Sequence, residues 1–240
     1  MAKEYKDLIV GLDIGTSKIM AVVAEVQADA SIKVLGMGVA PSTGMKRGVV
    51  VNIEASVQSI QQAVREAEMM AACKITRVIT GITGSHIRGR NSVGMVAVRD
   101  REVSPSDVAK VLETARAINI STDQRPLLVE PQEFIIDGQE VKEPIGMSGV
   151  RLESKVHIVT CAQSAAENII KCVRRCGLEV EHLMLNPLAA SMATLTEDER
   201  ELGVVLIDIG AGTTDIAVFS GGAIRHTAVL PVAGELITSD

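Results

Sequence analysis

Two stretches of the chain carry one pattern. Val10-Gly11-Leu12-Asp13-Ile14-Gly15-Thr16-Ser17-Lys18 matches Val205-Leu206-Ile207-Asp208-Ile209-Gly210-Ala211-Gly212-Thr213-Thr214-Asp215. Each is an apolar strand ending in Asp-Ile-Gly, then a Gly/Thr/Ser turn, then a second apolar strand. A third strand follows each: Ile32 to Val39 in the first copy, and Ala223 to Leu230, after Gly221-Gly222, in the second. Three strands joined by short turns predict an antiparallel meander. The copies lie about 195 residues apart, the scale of a duplicated domain and not of a solenoid.

The turns define a chemistry. Glycine lets the backbone approach a ligand and can take positive φ. Successive backbone N–H groups then form an anion-binding nest, and Thr and Ser hydroxyls add donors. An Asp at the end of the preceding strand suits Mg²⁺, usually through water, because the ion keeps part of its hydration shell. Two such hairpins face to face would clamp a polyphosphate. The phosphate-contact candidates are Gly15, Thr16, Ser17 and Lys18 in the first turn and Gly210, Gly212, Thr213 and Thr214 in the second. Lys18 adds a point charge for phosphate. Asp13 and Asp208 are the Mg²⁺ candidates, acting through water. A single copy reads as a plain hairpin turn; the matched pair points to phosphate. Neither copy is a P-loop or a dinucleotide Gly-x-Gly-x-x-Gly turn.

Between the copies the texture changes twice. A helix is expected from about Glu54 to Ala72, with Asn52 as N-cap and Val57, Ile60, Val64, Ala67 and Ala71 on one face. Arg77 to Ile82 reads as a strand. Residues 85–155 are richer in charge and broken by Pro105, Pro126, Pro131 and Pro144. Ser104-Pro105-Ser106-Asp107 starts a helix there, flanked by strands at Gly94 to Val98 and Phe134 to Ile136. This segment is expected to be a small α/β subdomain inserted in the first domain. Regular α/β texture returns with a strand at Val156 to Ala162 and a helix from Ser164 to Cys176, stopped by Gly177. A short strand follows at Glu181 to Leu185. Asn186-Pro187 caps and starts a further helix to Leu195, and Thr196 to Glu201 reads as a solvated acidic linker. The expected units are 1–84 and 156–197 for the first domain, 85–155 for the insert and 198–240 for the start of a second domain.

Composition narrows the function classes. The chain has 240 residues, a net charge of −6 and 47% hydrophobic residues, with Tyr5, Phe134 and Phe219 as its three aromatics. The core must be aliphatic, and an acidic chain without stacking platforms argues against nucleic acid as a partner. No apolar run approaches the ~20 residues of a membrane helix, and no secretory signal opens the chain. Cys73, Cys161, Cys172 and Cys176 are at no recognisable zinc spacing and read as structural thiols in a reducing cytoplasm. Lys46-Arg47 and Arg88 to Arg90 read as solvated surface, the latter also as a candidate self-association contact. His86, His157, His182 and His226 form no dyad by spacing.

The paired hairpins resemble the phosphate loops of the actin, sugar-kinase and heat-shock-chaperone ATPase superfamily. Asp13 to Lys18 resembles its first loop, Asp208 to Asp215 its second, and Asn186 to Leu195 the helix connecting its halves. Within it the chain is similar to the FtsA family of bacterial cell-division proteins. Pro131-Gln132-Glu133-Phe134, Gly146-Met147-Ser148-Gly149-Val150-Arg151-Leu152, Lys155-Val156-His157, Arg175-Cys176-Gly177-Leu178, the run from Leu195 to Gly203 and the run from Ala233 to Asp240 carry the likeness.

The resemblance implies an actin-like (ribonuclease H-like) domain of mixed sheet with helices, carrying a small inserted α/β subdomain, and a truncated second actin-like domain. It also implies ATP with Mg²⁺, self-association into protofilaments and recruitment of the tubulin-like FtsZ ring. Further implications are contacts with other division proteins through the insert, and a C-terminal amphipathic helix tethering the ring to the inner face of the cytoplasmic membrane at the division site. Two positions depart from the pattern: Ala211 stands where the superfamily often has Gly, and Ala233-Gly234 where many relatives have Gly-Gly. Actin-type hydrolases orient the attacking water with a polar residue near the connecting helix. Asn186 is the nearest candidate, and it reads first as an N-cap, so at most a weak ATPase is expected. The competing reading is a phosphotransferase of sugar-kinase type, which needs a general base beside a sugar hydroxyl. The second copy begins near Leu202, so a full first half and the beginning of a second are expected.

Overall fold

The computed structural model describes residues 8–239. Tyr5, Asp7 (the first residue of the expected opening strand) and Asp240 lie outside them. The elements run β1 (Leu8–Ile14), β2 (Lys18–Val26), β3 (Ile32–Pro41), a small hairpin β4 (Met45–Lys46) and β5 (Val49–Val50), α1 (Ile53–Ala71) and β6 (Arg77–Ile82). Then come β7 (Arg88–Ala97), α2 (Pro105–Arg116), β8 (Gln124–Ile136), β9 (Gln139–Val141) and β10 (Arg151–Ala162). The chain continues through α3 (Gln163–Arg175), β11 (Glu179–Leu185), α4 (Asn186–Thr194), α5 (Glu197–Leu202), β12 (Val204–Ile209), β13 (Thr214–Ser220), β14 (Ala223–Leu230) and α6 (Gly234–Ser239).

Three main sheets result. The first has the order β11-β6-β1-β2-β3, with β11, β6 and β1 parallel and β1-β2-β3 the expected meander. The second is antiparallel, β7-β10-β8-β9, and the third is the other expected meander, β12-β13-β14. Alternation fixes which residues enter the first core: Leu12, Ile19, Val23, Ile60, Val78, Ile82 and Leu185 are fully or nearly fully buried there. Asn52 caps α1 by accepting from the Ala55 N–H at 3.1 Å. Ala63, Ala67 and Ala71 form a small-residue stripe on α1, and β3 meets it with glycine. A Cβ on Gly36 would lie 2.7 Å from Ala71 N, and one on Gly38 would overlap the Ala63 carbonyl. The second sheet repeats the device, with Gly94 of β7 against the backbone of α2 at Val111 and Ala115.

The inserted α/β subdomain is β7 to β10 with α2 laid across β7 and β10. Ser104 and Asp107 form the expected capping box. Two strands are longer than their sequence signals. β8 runs 13 residues through Pro126 and Pro131, which read as breaks. Beside each proline the register against β10 slips, leaving Leu127 and Gln132 unpaired. Bulges there accommodate residues that cannot donate to the ladder. β10 continues without a break through the expected boundary at residue 155. The expected acidic linker at Thr196 to Glu201 is instead the N-cap and all but the last residue of α5, with Thr196 and Glu199 in a capping box. The acidic run conceals a Thr-x-x-Glu start signal, and acids in a first turn favour the helix.

The third sheet leans on the insert through β14. His157 of β10 bonds the Thr227 hydroxyl through Nε2 at 2.9 Å and Asn91 through Nδ1 at 2.6 Å. Gln132, freed by its bulge, donates to the Ile224 carbonyl at 2.8 Å. Burial pushes the His157 pKa down to about 4, so the ring is neutral near pH 7.

Candidate functional site

The two matched turns have one geometry. Gly15 N–H donates to the Lys18 carbonyl at 3.0 Å, and Gly210 N–H donates to the Thr213 carbonyl at 2.9 Å. Ladder pairing stops at Ile14–Ile19 in one hairpin and at Ile209–Thr214 in the other, leaving the amides of the intervening turn residues outside it. The glycines serve close approach and not unusual dihedrals, since none of Gly15, Gly210 and Gly212 has positive φ. A Cβ on Gly15 would lie 2.8 Å from the Lys18 carbonyl oxygen. One on Gly212 would lie 2.7 Å from Thr16 Oγ1, so the tips of the two turns touch across the lobes.

Behind the turns three acids converge. Asp13 and Asp208 line one cavity of about 450 Å³, together with Leu12, Thr80, Gly81 and Asn186. The pKa of Asp13 is raised, first by burial and then by Asp208, and Lys18 partly offsets this. Asp215 stands directly opposite Asp208 in the β12–β13 ladder. Its pKa is pushed up to about 6, first by burial and then by the charges of Asp208 and Asp13, against hydrogen bonds from Thr83 and Thr213. The Thr83 hydroxyl donates to it at 2.5 Å. Carboxylates held this way favour a cation between them. Among the described residues they do not form a direct three-ligand metal cage. An ion here would therefore complete its shell with water and ligand oxygens, the habit of Mg²⁺.

The sequence candidates fall into place unevenly. Asp13 and Asp208 share one cavity, while Thr16 and Gly212 line another. Thr16 Oγ1 accepts from the Gly48 N–H at 3.1 Å, leaving its own proton to donate elsewhere. Thr214 donates its hydroxyl to the Val232 carbonyl at 2.7 Å. Thr213 is buried and turned towards Asp215; Ser17 and Lys18 are exposed beside the first turn. Asn186 is not the N-cap of α4. The cap is Leu185, without a side-chain bond, and Asn186 is the first helical residue. Its Oδ1 lies so close to Gly81 that a Cβ there would overlap it, and its side chain lines the cavity with the aspartates. All four cysteines are free thiols, and burial raises the pKa of Cys161, Cys172 and Cys176, the last to about 11. Such thiols are unreactive packing groups.

Comparison with known proteins settles the family. A family model described as "SHS2 domain inserted in FTSA" matches residues 84–160, and one described as "Cell division protein FtsA" matches residues 205–240. The chain is 60% identical over 234 residues to the cell division protein FtsA of Pseudomonas aeruginosa, covering 97% of this chain and 56% of that protein. It is 56% identical over 230 residues to the FtsA of Neisseria meningitidis serogroup B, covering 95% of this chain and 56% of that one. The chain belongs to the FtsA family. It spans about half the length of these curated relatives, 56% in both cases.

Solved structures show the FtsA-family chain to have an actin-like fold. It superposes on a chain of a PilM-PilN type IV pilus biogenesis complex with a TM-score of 0.68 at 19% identity, covering 96% of this chain and 63% of that one. It superposes on MreB 5 of Spiroplasma citri, crystallised bound to AMPPNP, with a TM-score of 0.50 at 15% identity, covering 98% of this chain and 55% of that one. Two site residues of this family member were not among the sequence candidates, Asp215 and Thr83, while Asn186, named as the nearest candidate to orient a water, lines the cavity with the aspartates. Asp215 had a readable signal. With Ile209 and Thr214 closing the turn, antiparallel register sets residue 215 opposite 208.

Proposed function

We propose that this chain is the nucleotide-clamping part of an FtsA-type cell-division protein that binds ATP with Mg²⁺. The observation that carries the reading is the contact between two identically closed turns, backed by a carboxylate cluster in which burial and the charge of Asp208 raise the pKa of Asp13 and Asp215. In this reading Gly15, Thr16, Ser17, Lys18, Gly210, Gly212, Thr213 and Thr214 surround the phosphates. Asp13 and Asp208 hold Mg²⁺ through water, with Asp215 as a third charge. The AMPPNP bound to the actin-like MreB 5 supports the choice of an adenine nucleotide. Mg²⁺ would neutralise the phosphates and relieve the repulsion among the acids. Asn186 is the polar side chain placed to orient a water, which is compatible with at most weak ATP hydrolysis. Units bounded at residues 84/85, 155/156 and 197/198 belong to the same proposal.

Membership of the family extends the reading to the whole protein. It would self-associate, link the FtsZ ring to the inner face of the cytoplasmic membrane at the division site and meet other division proteins through the insert. No helix among the described residues is long and apolar enough to cross a membrane, and the tether would be an amphipathic C-terminal helix. The test is calorimetric titration of ATP into the chain with Mg²⁺ and with EDTA. Saturable binding that weakens at least about tenfold on chelation is expected. Binding indifferent to EDTA, or stronger binding of a hexose with ADP production, would contradict the reading.

A further inference from the structure

A second cavity, of about 540 Å³, adjoins the tips of the two turns and shares no lining residue with the one at Asp13 and Asp208. Its walls include Thr16 and Gly212 from the turns, Ser42, Lys46 and Arg47 from the segment after β3, and Glu235. Lys46 and Arg47 lie in and beside the small β4–β5 hairpin. That hairpin is pinned to the first turn, because Gly48 N–H donates to Thr16 Oγ1 at 3.1 Å and Ser42 N–H donates to the Ser17 carbonyl at 3.0 Å. It is equally close to the second turn, where a Cβ on Gly212 would lie 3.0 Å from Arg47 Cα. Arg47 itself holds a left-handed φ of +49°. A non-glycine residue in that region is uncommon, and the surroundings must impose it.

Two features point to a ligand. Ser42 is one of the residues lining this cavity, and its Oγ is buried with no hydrogen-bond partner among the described residues. A buried hydroxyl left unpaired is costly, so a partner is expected there. The charged groups on the wall are two cations, Lys46 and Arg47, against one carboxylate, Glu235. Together with the Thr16 and Ser42 hydroxyls they suit a small oxyanion with several acceptor oxygens.

We infer that this cavity is a phosphate-binding site in which Lys46 and Arg47 supply the charge and Ser42 and Thr16 the hydroxyl donors. The inference deepens the nucleotide reading, because its phosphate has two sources: free inorganic phosphate, or the terminal phosphate of a nucleotide held by the turns. The test uses the intact chain. Inorganic phosphate is titrated by ³¹P NMR into the wild type, Lys46→Gln, Arg47→Gly and Arg47→Lys, and the ATP and ADP affinities of each are measured beside it. Glycine fits the left-handed position, so Arg47→Gly removes the charge without straining the backbone. A thermal melt of each variant checks folding.

Free phosphate as the ligand gives saturable phosphate binding, weakened about tenfold in Lys46→Gln and Arg47→Gly and largely kept in Arg47→Lys. The terminal phosphate as the ligand gives loss of the preference for ATP over ADP in the same two variants. If folded variants alter neither quantity, or if wild type shows neither phosphate binding nor an ATP preference, the site is wrong. Phosphate binding without ATP binding would defeat the nucleotide reading and leave this site standing. ATP binding in wild type, with neither phosphate binding nor the ATP preference changed in the Lys46 and Arg47 variants, would do the reverse.

Discussion

The two hairpins share a turn and almost nothing else. β1 and β2 lie inside the five-stranded sheet, and Leu12, Ile14, Ile19 and Ala21 are buried around the first turn. β12 is an edge strand of a three-stranded sheet, with Val205, Ile207 and Ile209 at 55%, 58% and 63% exposure. Yet the closing hydrogen bonds match within 0.1 Å, at 3.0 and 2.9 Å. Turn geometry is therefore written locally, in glycine placement and ladder register, and does not need a surrounding core. Charge is where the hairpins part. Asp13 faces Met20 across its ladder, whereas Asp208 faces Asp215. The second hairpin carries the stored repulsion and the first carries the packing.

Substitutions can break that contrast. The largest effect is expected in the packed hairpin: Ile19→Ala should cost about 3–4 kcal/mol in urea unfolding, as for a fully buried aliphatic side chain. Ile207→Ala in the other should cost under about 0.5 kcal/mol, and equal losses would erase the distinction. Next comes Asp215. Its carboxyl titrates at about 6 in the folded chain, above the ordinary value, so the native state holds its proton more tightly than the unfolded state. Its contribution favours folding at low pH and is lost as pH rises from about 4 to about 6, up to about 3 kcal/mol. Asp215→Asn should remove that loss, appearing about 2 kcal/mol more stable relative to wild type at pH 7 than at pH 4. A variant-to-wild-type difference that does not change with pH would show that the acids do not strain the site.

A smaller effect is expected where the turns meet. Gly212→Ala should cost about 1–2 kcal/mol by pushing on Thr16 and Arg47. Thr16→Ala in the same chain should recover part of it. Strict additivity of the two changes would mean that the tips do not touch in solution.

Much of this was legible in the sequence, for identifiable reasons. The meanders follow from period-2 runs stopped at Gly15 and Gly210, and α1 from the spacing of Val57, Ile60, Val64, Ala67 and Ala71, all buried. The misses are places where a local signal has two meanings. Asn186 before Pro187 looks like a cap, but its side chain is claimed by a cavity that exists only once α4 packs beside Gly81. Pro126 and Pro131 look like strand breaks, and bulges absorb them. Lys46 and Arg47 are exposed, as a basic pair usually is, yet they wall a cavity because Gly48 ties their hairpin to Thr16. None of these depends on neighbours in sequence, so none could be read there.

The central claim is that the two hairpins act as one clamp through Asp13 and Asp208. A double-mutant cycle on Mg²⁺–ATP affinity tests it, with Asp13→Asn, Asp208→Asn and the pair measured by calorimetry at fixed pH. Each single change should weaken binding at least about tenfold, and the pair should weaken it much less than the product of the two, because one ion is lost in either case. Full multiplicative losses, or affinity unchanged by either substitution, would contradict the clamp.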